Sequence, residues 1–177
     1  MRIVGGKFAG WDLTSPNDFR VRPTAELVRG AMLDRLGAAV TKARILDLFA
    51  GTGALGLEAL SRGAASADFV ETRAASLHAL KANIVQLRAR DKSRVFKKDA
   101  LPFAAALQEG SYDITFVDPP YESRMLDRVI EGWQRTRFSA ILVAEHATTH
   151  VLPRGADVMR FGDTSVSFYG MGGGKRP

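Results

Sequence analysis

The sequence predicts an α/β fold in which a mostly parallel sheet is covered by helices on both faces. Between residues 44 and 144, short apolar runs of strand type alternate with helical patterns, and this alternation is typical of a parallel sheet. A glycine-rich turn follows the first of these strands and opens a helix. The last two strands are joined by too few residues for a crossover connection, so one of them should run antiparallel.

The individual elements follow from periodicity and from turn residues. Apolar residues at three- and four-residue steps mark the helices, and short β-type runs between turn residues mark the strands. The predicted helices span residues 24–36, 54–62, 74–88, 102–109 and 125–135. The predicted strands span residues 44–49, 67–71, 94–98, 113–117, 140–144, 157–161 and 165–169. Right-handed crossovers then place the functional loops at the carboxyl ends of the parallel strands.

Length and composition indicate one domain with two accessory segments. The chain has 177 residues, of which 46% are hydrophobic, and this is enough to bury a full core without disulfides or metal. We expect an N-terminal basic extension over residues 1–23, which could form a short hairpin and contact RNA, and a main domain over residues 24–170. The glycine-rich tail, residues 171–177, should be flexible.

The positive charge is concentrated near the N-terminus. The net charge is +6, and residues 1–44 contribute +4 of it, with eight basic and four acidic side chains. A cationic flank beside a more neutral body attracts a phosphate backbone, although such charges also occur on ordinary solvated surfaces. Lys7, Arg20 and Arg22 are the candidates for contacts with a nucleic-acid backbone, where each would add salt dependence.

Several kinds of site are excluded or disfavoured by composition. The chain has no cysteine, so it has no disulfide, thiolate metal site or cysteine nucleophile. No apolar run approaches the roughly 20 residues of a membrane span, and the first ten residues lack the apolar core of a signal peptide. The three histidines show no ligand spacing with carboxylates. We therefore expect a cytoplasmic monomer with no metal and no membrane partner.

A glycine loop predicts a nucleotide-like ligand. Gly51, Gly53 and Gly56 fit the G-x-G-x-x-G pattern between a strand and a helix, where glycines permit a tight turn and close approach of a ligand. Free N–H groups at the helix start favour an anionic or strongly polar ligand. Glu71 ends the next strand, 20 residues after Gly51, and a carboxylate there can bind ribose hydroxyls. Dinucleotides and S-adenosylmethionine both carry such a ribose.

The turn after the fourth strand indicates the chemistry. Asp118 and Tyr121 flank two prolines directly after the strand 113–117, and the prolines end the strand and stiffen the turn. An exocyclic base amine is a poor nucleophile because its lone pair is delocalised into the ring. The Asp118 carboxylate and the Pro119 carbonyl oxygen could accept its N–H hydrogens and orient the lone pair, while Tyr121 stacks on an unstacked base. Dinucleotide dehydrogenases have no use for this group, so it favours a base-directed methyltransferase.

Three separated segments resemble the RsmD family, which methylates N2 of a guanine in bacterial 16S ribosomal RNA. They are RIVGGK at 2–7, RPT at 22–24 and DLFAGTGALGLEALS at 47–61. The tetrapeptide 118–121 resembles the [DN]-P-P-[YF] motif of amino-directed methyltransferases. The resemblance covers nearly the whole chain, and the motifs agree in order and spacing.

The resemblance implies a seven-stranded, Rossmann-like class I methyltransferase that uses S-adenosylmethionine. It implies that Glu71 binds the ribose, that Asp99 and Ala100 line the adenine, and that residues 118–121 hold the target guanine. The residues that we expect to bind the cofactor are Asp47, Phe49, Gly51, Gly53, Glu71, Asp99 and Ala100. The implied substrate is 16S ribosomal RNA within an assembling small subunit rather than free RNA.

Two other functions fit part of this pattern. An amino-methyltransferase with another target, such as adenine N6 of DNA or a glutamine side chain, would carry the same tetrapeptide. The basic N-terminus argues against a purely protein target, and no segment is left over to read DNA base edges. A nicotinamide-dependent or inactive Rossmann module that binds RNA would need a second domain, for which the length leaves little room.

Overall fold

A computed structural model describes residues 1–15, 23–119 and 124–171 of the chain. The seven strands are β1 (Arg44–Leu48), β2 (Ser66–Val70), β3 (Ser93–Phe96), β4 (Tyr112–Val117), β5 (Ser139–Ala147), β6 (Ala156–Phe161) and β7 (Thr164–Tyr169). The five α-helices are α1 (Pro23–Leu36), α2 (Ala54–Ser61), α3 (Ala74–Gln86), α4 (Ala100–Ala105) and α5 (Met125–Thr136).

All seven strands belong to one sheet with the order β3-β2-β1-β4-β5-β7-β6. The pairs among β1 to β5 are parallel, whereas β7 runs antiparallel to both of its neighbours. This confirms the predicted Rossmann-like sheet, including its single antiparallel strand near the C-terminus. Only two residues separate β6 from β7, so these strands form a hairpin instead of a crossover.

Helices cover both faces of the sheet, and strand residues alternate between the two resulting cores. Ile45 of β1 packs in the cluster that contains α1, α2 and α3, whereas its neighbour Leu46 packs in the cluster that contains α4 and α5. The same alternation assigns Phe116 of β4 and Val143 of β5 to the first face. Because side chains two residues apart share a face, this alternation also fixes the direction of residues at the strand ends.

The predicted bounds of one helix and one strand differ from those in the structure. The helix predicted over residues 102–109 is α4, which begins at Ala100 because the Asp99 carboxylate accepts a hydrogen bond from the Leu101 amide at 2.9 Å and caps it. Residues 106–109 lie outside the helix. The strand predicted over 140–144 is the nine-residue β5, which is longer because it pairs with β4 on one side and β7 on the other.

Residues 1–13 fold back on themselves and dock on the main domain. Arg2 and Asp12 form an antiparallel bridge, and the Ile3 amide donates to the Trp11 carbonyl at 2.9 Å. The turn of this segment is a short 3-10 helix, Gly6–Phe8. Ile3 is fully buried within the first core, so the segment is a packed part of the domain.

Glu58 of α2 holds this segment in place. Its carboxylate is fully buried and accepts hydrogen bonds from the amides of Val4 at 2.8 Å and Gly5 at 2.7 Å. It also accepts bonds from the Nε atoms of Arg29 and Arg62, each at 3.2 Å. Two backbone donors and two cations therefore compensate the charge that burial would otherwise disfavour.

Gly6 lies too close to α2 to carry a side chain. Its φ of +78° is in the left-handed region, and a Cβ atom built there would lie 2.1 Å from the carbonyl oxygen of Ser61. Ser61 also accepts a hydrogen bond from the Phe8 amide at 2.8 Å. The N-terminal turn therefore requires glycine for both its backbone conformation and its packing.

The described ranges also lack two kinds of feature. Among the helices in residues 1–15, 23–119 and 124–171, none is long and apolar enough to cross a bilayer. No group of three or more potential metal ligands occurs in the same ranges.

We predict that Glu58→Ala destabilises the protein by about 3 to 5 kcal/mol, the range found when one partner of a buried ion pair is removed. The substitution leaves Arg29, which is 4% exposed, without its carboxylate. Denaturant unfolding measures the change in free energy, and hydrogen exchange at the Val4 and Gly5 amides should accelerate. The matched control is Glu109→Ala, at an exposed position. Equal stability of the two variants would contradict the anchoring role.

Candidate active site

The glycine loop and Asp118 lie at the ends of adjacent parallel strands. Asp47 of β1 is paired with Phe116 of β4, and Leu48 with Val117. The loop that follows β1 and the turn that follows β4 therefore leave the sheet side by side, at its carboxyl edge. Asp118 is an exposed residue at this edge.

The glycine loop turns sharply before α2. Phe49, Gly51 and Gly53 have φ values of 61°, 55° and 81°, all in the left-handed region, which is costly for a residue with a side chain such as Phe49. Gly53 is the N-cap of α2, and a Cβ atom there would lie 2.4 Å from the Leu80 side chain. The loop is thus pressed against α3, and its first helical amides face the sheet edge.

Glu71 ties the loop to the end of β2. Its Oε2 atom accepts a hydrogen bond from the Gly51 amide at 2.9 Å, and its Oε1 atom accepts from the amides of Thr72 and Arg73 at 2.7 and 2.8 Å. Glu71 is only 6% exposed. A carboxylate oxygen has two acceptor positions, so Oε2 can also bind a ribose hydroxyl while it holds Gly51. The sequence predicted the ribose contact but not this tether.

Asp47 lies beneath the loop. It is 1% exposed, and its Oδ2 atom accepts a hydrogen bond from the Gly56 amide at 2.9 Å. Burial raises the pKa of Asp47 to about 8; the Gly56 amide opposes the rise, and repulsion from Glu71 adds to it. Asp47 therefore holds the start of α2 and adds a carboxyl group to the edge.

Asp99 and Ala100 follow β3 at the same edge. β3 pairs with β2, and the Glu71 amide donates to the Phe96 carbonyl at 3.1 Å. Within the described residues, only one oxygen of Asp99 receives a protein hydrogen bond, from the Leu101 amide that it caps. Its other oxygen is therefore available to an adenine amino group. Ala100 is buried and packs beneath this position.

Glu145 belongs to the site, and the sequence reasoning missed it. Ala144 of β5 is paired with Val117 of β4, so Glu145 and Asp118 occupy neighbouring positions, one residue further along. Asp118 is exposed as a residue, but its carboxyl group is surrounded by protein atoms. This desolvation raises the pKa of Asp118 well above its usual range, and repulsion from Glu145 and Asp47 raises it further. The signal was present, because Glu145 directly follows the predicted strand 140–144.

The acidic side chains at the carboxyl edge of the sheet fit a cationic adenosyl ligand. Four carboxyl groups, those of Asp47, Glu71, Asp118 and Glu145, lie in or directly after four adjacent strands, near the carboxyl edge of the sheet. A ligand with a positive charge relieves their mutual repulsion, whereas a pyrophosphate would add negative charge to it. S-adenosylmethionine carries a sulfonium cation and a ribose, so these residues fit it better than a nicotinamide dinucleotide.

Lys7 lies away from this edge. It is exposed on the Gly6–Phe8 turn, with its Nζ atom 5.5 Å from the Phe8 ring, and Phe8 contacts the half-exposed Trp11. The turn contacts Ser61 at the C-terminal end of α2, a helix about 12 Å long, whereas the glycine loop precedes its N-terminal end. Lys7 therefore flanks the site from a distance.

Three of the predicted site residues lie outside the described residues. They are Arg20, Arg22 and Tyr121, and their predicted roles remain predictions.

The strand order, the glycine turn and the carboxylate edge define a class I, Rossmann-like methyltransferase fold. A family model described as Conserved hypothetical protein 95 matches residues 1–169. Ribosomal RNA small subunit methyltransferase D of Escherichia coli strain K12 is 37% identical over 159 residues, which are 86% of this chain and 78% of that protein. The chain belongs to this family, the RsmD family, as the sequence motifs predicted.

Solved structures agree with this assignment. The structure of yhhF from Escherichia coli has a TM-score of 0.81 and 32% identity, and the match covers 96% of each chain. The 16S rRNA N2 methyltransferase RsmC of Thermus thermophilus, in complex with AdoMet and guanosine, has a TM-score of 0.63 and 21% identity. That match covers 86% of this chain and 44% of the other, and at this identity it shows a shared fold.

We predict that Asp47 makes the ligand-free protein less stable as the pH rises. Its pKa is about 8 when folded and about 3.9 when unfolded. The folded state therefore holds the proton more tightly, and this stabilisation is complete below about pH 4 and lost as the pH rises through about 8. The loss is on the order of 1 kcal/mol per pH unit within this window.

Urea unfolding at a series of pH values tests this, with Asp47→Asn as the comparison, because the asparagine oxygen can still accept from the Gly56 amide. The variant should show a flatter dependence of unfolding free energy on pH. Parallel curves for the two proteins would contradict the assignment.

Proposed function

We propose that this protein transfers a methyl group from S-adenosylmethionine to the exocyclic N2 amine of a guanine in bacterial small-subunit ribosomal RNA. The observation that carries the proposal is the adjacency of β1 and β4, which puts the glycine loop beside Asp118. The name of the Escherichia coli relative supports the RNA substrate class.

The residues of the edge divide into two groups. The loop from Phe49 to Gly53, with Asp47 beneath it, would hold the cofactor, together with Glu71 at the ribose and Asp99 and Ala100 at the adenine. S-adenosylmethionine supplies the electrophilic methyl group when it is bound. A protein of the same fold has been seen with AdoMet and guanosine together, so the architecture can accommodate both ligands.

Asp118 and Pro119 would hold the guanine amine. The Asp118 carboxylate and the Pro119 carbonyl oxygen accept its two N–H hydrogens, which turns the nitrogen lone pair toward the methyl donor. The amine would form the new N–C bond while the bond between the methyl carbon and the sulfonium sulfur breaks, and it would then give up one proton to water. Asp118 would stabilise the positive charge that develops on the nitrogen meanwhile. Because the nucleophile is a neutral amine, positioning supplies much of the rate.

The rest of the RNA interface is assigned to the basic N-terminal region. The base must leave its stack to reach the edge, and Tyr121 would then stack on it. Lys7, Arg20 and Arg22 would contact the RNA backbone. The family resemblance extends the proposal to an assembling 30S particle. We also propose that the enzyme acts as a monomer in the cytoplasm.

We predict that small subunits from cells lacking this activity accept labelled methyl groups when they are incubated with the protein and labelled S-adenosylmethionine. Digestion of the RNA should place the label in N2-methylguanosine. Label in N6-methyladenosine would support the adenine-directed alternative, and label in protein would support a glutamine target. Tight nicotinamide nucleotide binding without any transfer would overturn the methyltransferase proposal.

The matched variant in this assay is Asp118→Ala. Transfer should fall by at least about 100-fold, because the variant loses an interaction made with the reacting amine, while S-adenosylmethionine affinity changes little. Asp91→Ala, at an exposed position before β3, should leave both properties unchanged. An equal loss of cofactor binding and transfer in Asp118→Ala would show that Asp118 serves the cofactor instead.

A further inference from the structure

Glu145 is positioned to contact the same ligand group as Asp118. Val117 and Ala144 are the last paired residues of β4 and β5, so the residues that follow them, Asp118 and Glu145, leave this pair side by side at the carboxyl edge. Phe116 and Val143, two residues earlier on each strand, both pack in the first core. Because side chains alternate along a strand, Asp118 and Glu145 project on the same side of the sheet.

Asp47, the third carboxyl group on this side of the sheet, cannot contact the same ligand group. Asp47 is paired with Phe116, two residues deeper than Asp118, and is 1% exposed with the Gly56 amide bound to it. Glu145 is only partly buried, and Asp118 is exposed. A ligand that reaches Asp118 from solvent therefore meets Glu145 as the second accessible carboxylate.

We propose that Glu145 selects guanine by accepting the N1–H hydrogen of the base while Asp118 accepts from its N2 amine. This inference rests on the proposed function and adds a specificity-determining residue to it. Guanine is the base whose Watson–Crick edge presents two adjacent donors, N1–H and N2–H. Two carboxylates in neighbouring register positions offer the matching pair of acceptors.

The same pair of carboxylates disfavours adenine. Adenine presents its exocyclic amine beside N1, which carries a lone pair and no hydrogen. If Asp118 held that amine, the N1 lone pair would face the Glu145 carboxylate, and two acceptors would meet without a hydrogen between them. An acceptor that faces another acceptor is the kind of mismatch that discriminates between similar substrates.

The electrostatics of the edge agree with a donor-rich ligand. Repulsion from Glu145 contributes to the raised pKa of Asp118, so the two carboxyl groups disfavour each other's ionised form. Hydrogen-bond donors supplied by the base would stabilise the ionised pair. Donors on the guanine edge would therefore offset the repulsion between these two carboxyl groups.

The test uses a base that keeps the N2 amine of guanine but has no hydrogen on N1. 2,6-Diaminopurine keeps the N2 amine of guanine, but its N1 is an acceptor. We would replace the guanine that the labelling assay identifies by 2,6-diaminopurine in reconstituted small subunits, and compare kcat/KM for the two particles. Wild-type protein should prefer guanine by about 10- to 100-fold, since the site's acceptor is left unpaired by the analogue.

Glu145→Gln should lower kcat/KM on guanine and bring the two substrates within about threefold, because the glutamine amide can donate to N1 of 2,6-diaminopurine. Affinity for S-adenosylmethionine and the melting temperature should match those of wild type. Glu131→Gln, at an exposed position on α5, should keep the wild-type preference. If Glu145→Gln does not fold, Glu145→Ala should narrow the preference in the same way.

The outcomes separate this inference from the proposed function. A wild-type preference that persists unchanged in both Glu145 variants overturns the role of Glu145 and leaves the methyltransferase proposal standing. Wild-type protein that forms no N2-methylguanosine at all overturns the proposed function. A loss of rate on both substrates by the same factor would make Glu145 a structural residue.

Discussion

The parallel pairing of β1 with β4 is the interaction on which the rest of the site depends. Three crossovers, through α2, α3 and α4, separate these neighbouring strands in the chain, yet their hydrogen bonds hold Leu48 beside Val117. This register sets the glycine loop and Asp118 at one edge. A slip by a single residue would turn Asp118 to the opposite face of the sheet. The core packing of β1 and β4 therefore determines where the Asp118 side chain lies.

The same edge brings several carboxyl groups close together. Backbone amides stabilise part of their charge, since Glu71 accepts three and Asp47 accepts one. The raised pKa values of Asp47 and Asp118 show that desolvation and repulsion remain. A cationic cofactor and a donor-rich base would each compensate one part of this acidic edge, which connects the fold to the proposed reaction through simple electrostatics.

Periodicity and turn residues were sufficient to predict the sheet, because buried strands and capped helices leave local patterns in the sequence. Asp118 and the glycine loop could be found in the same way, since both directly follow strands. Glu145 obeys this rule too but belongs to no familiar motif. The docking of residues 1–13 could not be predicted, because it depends on Glu58 accepting bonds from amides 53 and 54 residues away, and no local pattern records such a contact.

The proposed reaction requires the cofactor loop and the Asp118 turn to present a methyl donor and a guanine amine to each other. The most direct measurement is a crystal structure of the protein with guanosine and sinefungin, an unreactive analogue with an amine in place of the transferred methyl. We expect guanine N2 to contact the Asp118 carboxylate and to lie about 3 to 3.5 Å from that amine, the spacing of reacting groups. A guanosine bound elsewhere, or an Asp118 carboxylate turned away from the glycine loop, would contradict the account.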